Sequence, residues 1–171
     1  MVSREEMRVV SGGQTGADRA ALDIAQELGL PYGGWVPRNG WAEDFTVAPG
    51  VLAKYPRMRP VETEDLASSL IDRTRRNVLD SSATLILITK AGQDISPGTV
   101  LTKETAEKAG RPCLVVRVDA DNAASRITDW LDEIGPVRVL NVAGPRATEA
   151  PELYAKAVVV LRSVFRAFVG T

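Results

Sequence analysis

The sequence predicts an α/β fold, with a parallel sheet of about five strands and helices on both faces. Three observations carry that reading. Short apolar runs alternate with amphipathic segments along all 171 residues, the pattern of strands and helices in alternation. Two of the runs, Ala83–Thr89 and Pro112–Val118, are nearly all apolar, as in central parallel strands covered on both sides. Glycine-rich turns follow several runs, and folds of this kind bind ligands beyond the carboxyl ends of their strands. The length suits a single domain, residues 1–171, with a full core.

Met7–Ser11 is the first predicted strand. Ala17–Leu28 is the first helix, with Ala21, Leu22, Ala25 and Leu28 at helical spacing and Gly29 as its stop. Pro31–Pro60 holds five prolines and reads as a long ordered loop with a short strand at Gly33–Val36, and loops of this length are usually functional. Glu64–Ser81 is a helix capped by Thr63, with Ala67, Leu70, Ile71, Thr74 and Val78 as its apolar stripe. Arg73, Arg76 and Asn77 lie on one flank of it. That flank either points into a cleft or forms a solvated basic edge. After Ala83–Thr89 comes the turn Gly92–Thr99 and a helix to Ala109. A helix over Ala123–Ile134, a strand over Val137–Val142 and a final helix over Pro151–Phe168 complete the chain. The apolar excess of the final helix, including Val158 and Val159, is either a subunit contact or the broad stripe of a buried helix.

Composition removes several chemistries. The chain has no histidine, which excludes histidine-based triads and general bases and most zinc sites. A single cysteine, Cys113, rules out an internal disulfide and sits in an apolar run as an inert core residue. A net charge of −1 argues against binding to nucleic acid or a membrane surface. There is no basic-then-apolar leader and no run of ~20 apolar residues, so the expectation is a cytoplasmic protein.

The stretch Ser11-Gly12-Gly13-Gln14-Thr15-Gly16-Ala17-Asp18 is the main site candidate. A glycine-rich turn from strand to helix presents backbone N–H groups and a positive dipole end, which suits an anion such as phosphate. No Gly-Lys-Ser/Thr closes it, so it is not a P-loop, and it does not fit Gly-x-Gly-x-x-Gly. Gly13 reads as the point of closest backbone approach to the ligand. Asp18 either caps the helix or bonds a ligand hydroxyl. A second candidate is Ser96-Pro97-Gly98-Thr99 with Thr102 and Glu104, where hydroxyls and a flexible glycine meet a helix N-terminus. The post-strand turns Ser11–Asp18, Gly92–Thr99, Asp119–Asn122 and Gly144–Arg146 are expected to meet at one edge of the sheet.

These motifs recur together. Ser11–Asp18, Gly34-Trp35-Val36-Pro37 with Ala42-Glu43-Asp44, Arg76-Asn77-Val78 before Ser82-Ala83-Thr84-Leu85, Gly98-Thr99 with Thr102, and Asn141-Val142-Ala143-Gly144-Pro145-Arg146 stand in that order. In this the chain resembles the molybdenum carrier proteins, the circularly permuted YpsA-like branch of the SLOG superfamily, over nearly all of its length. The resemblance implies a Rossmann-like fold. It implies a carrier of molybdenum cofactor (molybdopterin) that assembles as a dimer or tetramer. The alternative it implies is a sensor of a nucleotide-derived ligand, or an enzyme of the nucleotide phosphoribohydrolase type cleaving an N-glycosidic bond. The hydrolases' Pro-Gly-Gly-x-Gly-Thr-x-x-Glu signature has its counterpart in Pro97–Glu104, with one glycine pair missing and the spacing altered.

The expected function is therefore to bind a small anionic, phosphate-bearing molecule, with the terminal phosphate at the first turn. Ligand contacts are expected from Ser11, Gly12, Gly13, Gln14, Thr15, Gly16, Asp18, Gly98, Thr99, Thr102 and Gly144. Arg38, Arg73, Arg76, Asn77 and Arg146 would serve the anion's oxygens. No metal ligand from the protein is expected. Glu43, Asp44 and Glu104 are the candidate acids or bases if a reaction occurs.

Overall fold

The computed structural model describes residues 7–92 and 96–169. Seven strands and five helices follow one another: β1 (Arg8–Val10), α1 (Ala17–Leu28), β2 (Tyr32–Gly33), β3 (Trp35–Val36), β4 (Arg59–Pro60), α2 (Leu66–Leu79), β5 (Ala83–Ile88), α3 (Pro97–Lys108), β6 (Cys113–Arg117), α4 (Ala123–Ile134), β7 (Val139–Ala143) and α5 (Leu153–Phe165). Five strands form one sheet in the order β2-β1-β7-β5-β6. Every pairing in it is parallel, with Val9 opposite Leu140, Leu85 opposite Val142 and Ile86 opposite Val115. The predicted α/β architecture and strand number are thus observed.

The crossovers fix where the helices lie. β5 to β6 runs one way across the sheet, while β1 to β2 and β6 to β7 run the other way. Right-handed connections then place α1 and α4 on one face and α3 on the opposite face. α5 packs on α1 and α4, and α2 packs on α3.

All six residues of β5 are buried, because it lies inside the sheet with helices on both sides. Pro112–Val118 differs from expectation. It yields β6, an edge strand with Val116 alone fully buried, so its apolar run marks helix cover and not a central position. Cys113 is half-buried there, and burial pushes its thiol above the ordinary range.

Residues 31–60 are ordered, as their aromatic content implies. β3 and β4 pair in parallel, and Val36, Val51, Tyr55 and Met58 are buried beneath the loop. α1 supplies the anchor. The Arg19 guanidinium bonds both Asp44 oxygens at 2.7 and 2.8 Å, donates to Gly13 O at 3.2 Å, and lies over the rings of Phe45 and Tyr55.

α2 starts later than expected. Its cap is Asp65, which accepts the Ser68 N–H at 2.8 Å, while Thr63 Oγ1 donates to Asp72. Its buried face is also rotated from the predicted stripe. Ser69, Thr74, Asn77 and Val78 are buried, whereas Ala67 and Ile71 are exposed.

Gly13 shows what the first turn's glycines do. Its φ is +75°, and a Cβ there would lie 2.8 Å from Val36 Cγ1 and 3.3 Å from Val51 Cγ2. The absent side chain makes room for Val36 and Val51 of the 31–60 loop. Gly13→Ala is expected to lower stability by about 2 kcal/mol or more in chemical denaturation, through the positive φ and the overlap with Val36. Gly98→Ala, whose nearest neighbour would be Ser96 Oγ at 3.8 Å, is expected to leave the midpoint unchanged or raise it.

Candidate functional site

At the carboxyl ends of β1, β7 and β5 lies a cleft of about 270 Å³. Three of the four post-strand turns meet there, from Gln14–Asp18, Ser96–Gly98 and Gly144–Arg146. The Asp119–Asn122 turn follows the edge strand and stays outside, with Asp119 accepting from Arg117 and from the Lys90 N–H. Residues 93–95 of the Gly92–Thr99 turn lie outside the described residues.

Asp18 is the centre of the first turn. Its carboxylate accepts the Gln14 N–H at 3.2 Å, and the Gly12 amide faces it too. Arg73 Nη1, from α2, reaches Oδ2 at 3.4 Å. A Cβ on Gly12 would collide with that guanidinium and with Asp18 Oδ2, so only glycine lets the ion pair form. Two further amides of the turn, those of Gly13 and Thr15, are also occupied. Ser11 Oγ accepts the Gly13 N–H at 3.3 Å and donates to Asp18 O, and Gln14 Oε1 accepts the N–H groups of Thr15 and Glu43 at 3.0 Å. The turn is a backbone anion nest already filled by the protein's own carboxylate.

The filling is imperfect. Burial raises the Asp18 carboxyl from 3.8 to about 6, and Arg73, the Gln14 amide, Arg19 and the Gly12 amide only partly oppose it. Burial likewise pulls Arg73 below its usual value, with Asp18 opposing. Arg73 remains charged, and its Nε is buried without a hydrogen-bond partner among the described residues. Its guanidinium therefore meets the cleft through the Nη end, which also bonds Asp18.

Opposite stands the start of α3. Ser96 is its cap and accepts the Thr99 N–H at 3.3 Å, with Pro97 at the first helical position. Gly98 lines the cleft with its Cβ direction open, and its amide is among the donors a helix start leaves unpaired. Thr102 lines it as well, its hydroxyl turned back to Gly98 O at 2.8 Å. Thr99 is outside the lining, and its Oγ1 is buried with no partner among the described residues. The turn after β7 adds Gly144, Arg146 and Glu149. Arg146 bonds Glu149 Oε1 through Nε and its backbone N–H, at 3.3 and 3.2 Å.

Of the sequence-predicted residues, Gln14, Asp18, Arg73, Gly98, Thr102, Gly144 and Arg146 line the cleft. Ser11, Gly12 and Gly13 lie behind it and shape it. Thr15 and Gly16 face the Gly144–Ala147 turn, where Thr15 Oγ1 accepts the Ala147 N–H and a Cβ on Gly16 would meet Pro145 O. Arg38 is elsewhere, donating to Glu64 O. Arg76 stacks on Trp35 and bonds Asp72 at 2.9 Å. Asn77 clamps the Trp35 backbone through two hydrogen bonds of 2.8 Å. The flank divides, with Arg73 in the cleft and its neighbours bracing β3.

The three candidate acids are absent from the cleft lining. Asp44 is held by Arg19, whose hydrogen bonds keep it below the ordinary carboxylate range. Burial acts to raise Glu43, but hydrogen bonds from Thr15 and Thr148 outweigh it and hold it low. Glu104 is exposed on α3. The sequence reading placed Ser96 in the second candidate turn but missed Glu149 and an apolar wall of Leu70, Ile71 and Leu101. The Arg146–Glu149 spacing of three was an available signal for the first. The wall was hidden because its α2 residues read as core.

The Circularly permutated YpsA SLOG family model matches residues 9–165, and the chain belongs to that family. It is similar to the crystal structure of the "Putative molybdenum carrier protein" of Syntrophus aciditrophicus SB, at 37 % identity and a TM-score of 0.80. That match covers 95 % of this chain and 96 % of the other. No curated protein matches.

A raised buried carboxyl costs stability when charged. The folded state holds the Asp18 proton more tightly than the unfolded chain, so stability from this group falls as pH rises from about 4 to 6. Asp18→Asn is therefore expected to match wild type near pH 4 and to exceed it at pH 8 by roughly 2 kcal/mol, since each tenfold gain in proton affinity is worth ~1.4 kcal/mol. Urea midpoints measured across that range check it. A variant less stable at pH 8 than at pH 4, relative to wild type, would contradict the assignment.

Proposed function

We propose that this chain is a binding protein that holds a small anionic, phosphate-bearing molecule in the cleft, in the manner of a carrier. One observation carries the reading: Arg73, Arg146 and the open start of α3 converge on a single cavity. Guanidinium groups and helix N-termini are the standard protein partners of phosphate. The anion's place is between the two arginines and Gly98. The first turn contributes the side chains of Gln14 and Asp18, its two residues that line the cleft. Gln14 Oε1 already accepts two N–H groups, so its amide nitrogen is the end left for a ligand.

The apolar wall suits a flat ring or hydrocarbon attached to the anion. A volume of about 270 Å³ is close to the lower end of the ~300–1,000 Å³ found for ligand pockets, which favours a compact ligand. Molybdenum cofactor fits this reading as cargo. Its phosphate would lie at the arginines and its ring system against Leu70, Ile71 and Leu101. Among the described residues no group of three or more His, Cys, Asp or Glu converges as a metal site, so a metal carried here would stay on the ligand that brought it. Assembly as a dimer or tetramer belongs to the same proposal, and Val159 on α5, 65 % exposed, is a surface for it.

Calorimetric titration with isolated molybdenum cofactor and with a panel of nucleoside monophosphates tests the reading. At least one is expected to bind. Arg146→Ala is expected to weaken that binding about tenfold, the effect of a lost charge-assisted contact. Gly98→Leu is expected to abolish it with little change in thermal midpoint, because the new side chain enters the cleft. Undiminished affinity in both variants would place the ligand elsewhere. Release of free base from a nucleotide would shift the reading to the hydrolase alternative.

A further inference from the structure

The cleft's charged side chains already cancel. Arg73 is paired with Asp18, and Arg146 with Glu149. The other charge facing Asp18 is Arg19, whose Nη atoms bond Asp44 and Gly13 O while its Nε is buried with no hydrogen-bond partner among the described residues. α3 adds no charged side chain to the lining. An anion entering this site therefore meets two cations and two carboxylates. Glu149, with a side chain 19 % exposed, has a route to turn toward water. Asp18, at 4 %, has none.

The same guanidinium end must also serve both anions. Arg73 Nε is buried, so an oxyanion reaches Arg73 through the Nη end that carries Asp18. Two unprotonated oxygens brought together in a site of low dielectric repel strongly. A shared proton turns that repulsion into a short, charge-assisted hydrogen bond. We propose that the cleft takes its oxyanion together with one proton, held at Asp18, so that ligand affinity falls as the solution becomes more alkaline. This rests on the reading of the cleft as an oxyanion site and adds the condition under which it fills. The Asp18 carboxyl near 6 makes the proton available at modest cost around neutrality. It also makes Asp18 the residue through which pH sets loading and release.

Phenyl sulfate is the probe, because it does not titrate in this range and any proton gained must go to the protein. Titration calorimetry at pH 7.5 in Hepes and in Tris, buffers of different ionisation enthalpy, counts the protons. Wild type is expected to take up close to one proton per ligand, and its affinity to rise about tenfold for each step of one in pH as pH falls from 8 to 6.5. Asp18→Asn is expected to take up none, to bind at least tenfold more tightly than wild type at pH 7.5, and to show no pH dependence. Glu149→Gln is expected to keep the proton uptake. Binding by wild type without proton uptake overturns the proposal, and so does loss of the uptake in Glu149→Gln alone. The wild-type count decides the matter even where Asp18→Asn fails to fold. If wild type binds neither phenyl sulfate nor phenyl phosphate, the oxyanion reading falls and this one with it.

Discussion

The ion pair between Asp18 and Arg73 is the constraint on which the site depends. α1 and α2 lie on opposite faces of the sheet, and the pair joins them around its carboxyl edge. Gly12 is glycine because the Arg73 guanidinium occupies the space of its side chain. The amides of Gly12 and Gln14 turn inward because Asp18 takes them. A turn of this shape would be a phosphate nest in another setting. Here the protein's own carboxylate sits in the nest and takes the amides of Gly12 and Gln14.

The same economy governs the neighbouring acids. Asp44 is spent on Arg19, which pins the 31–60 loop to α1. Glu43 is spent on Thr15 and Thr148, which draws the turn after β7 against the turn after β1. A fully engaged carboxylate with a lowered pKa is a poor proton acceptor and a good strut. The two acids that looked most chemical therefore set the distance between the cleft's walls. Asp18 is the exception. Its bonds to the Gln14 amide and to Arg73 are long, at 3.2 and 3.4 Å, and burial wins.

Much of this was legible in the sequence where local chemistry decides. α1 and α4 fall on their predicted residues, because Gly29 and Gly135 end them in backbone conformations with φ of +71° and +84°. The apolar runs gave β1, β5, β6 and β7, whereas the strand expected at Gly33–Val36 divides into β2 and β3, and β4, an Arg-Pro pair, carries no apolar signal. What depends on packing between distant segments was not legible. The sequence does not say that Cys113–Arg117 is an edge strand, since strand order is a global property. Nor does it separate Arg73 from Arg76, which lie close on one helix face. Trp35, some forty residues away, draws Arg76 outward, and Asp18 draws Arg73 inward. The α2 stripe was misplaced for the same reason. Leu70 and Ile71 sit at core spacing but face an open cleft, while Ser69 and Asn77, outside the predicted stripe, are buried with hydrogen bonds to backbone beside Thr74 and Val78, which are buried as predicted.

That inversion on α2 bears on what the cleft can hold. A helix that buries polar groups and exposes leucine and isoleucine breaks the usual pattern, and such breaks concentrate at functional sites. Arg73 belongs to the same helix, so α2 offers a charged point and an apolar strip side by side. The ligand that satisfies both has an anionic end and an apolar or flat body, joined over a few ångströms. Arg146 and Gly98 line the opposite walls. A charged Asp18 within this arrangement lowers the fold's stability above about pH 6. Taking up a proton at Asp18 above that pH costs free energy, so the burial that weakens the empty protein also sets the cost of the proposed proton-coupled filling of the cleft.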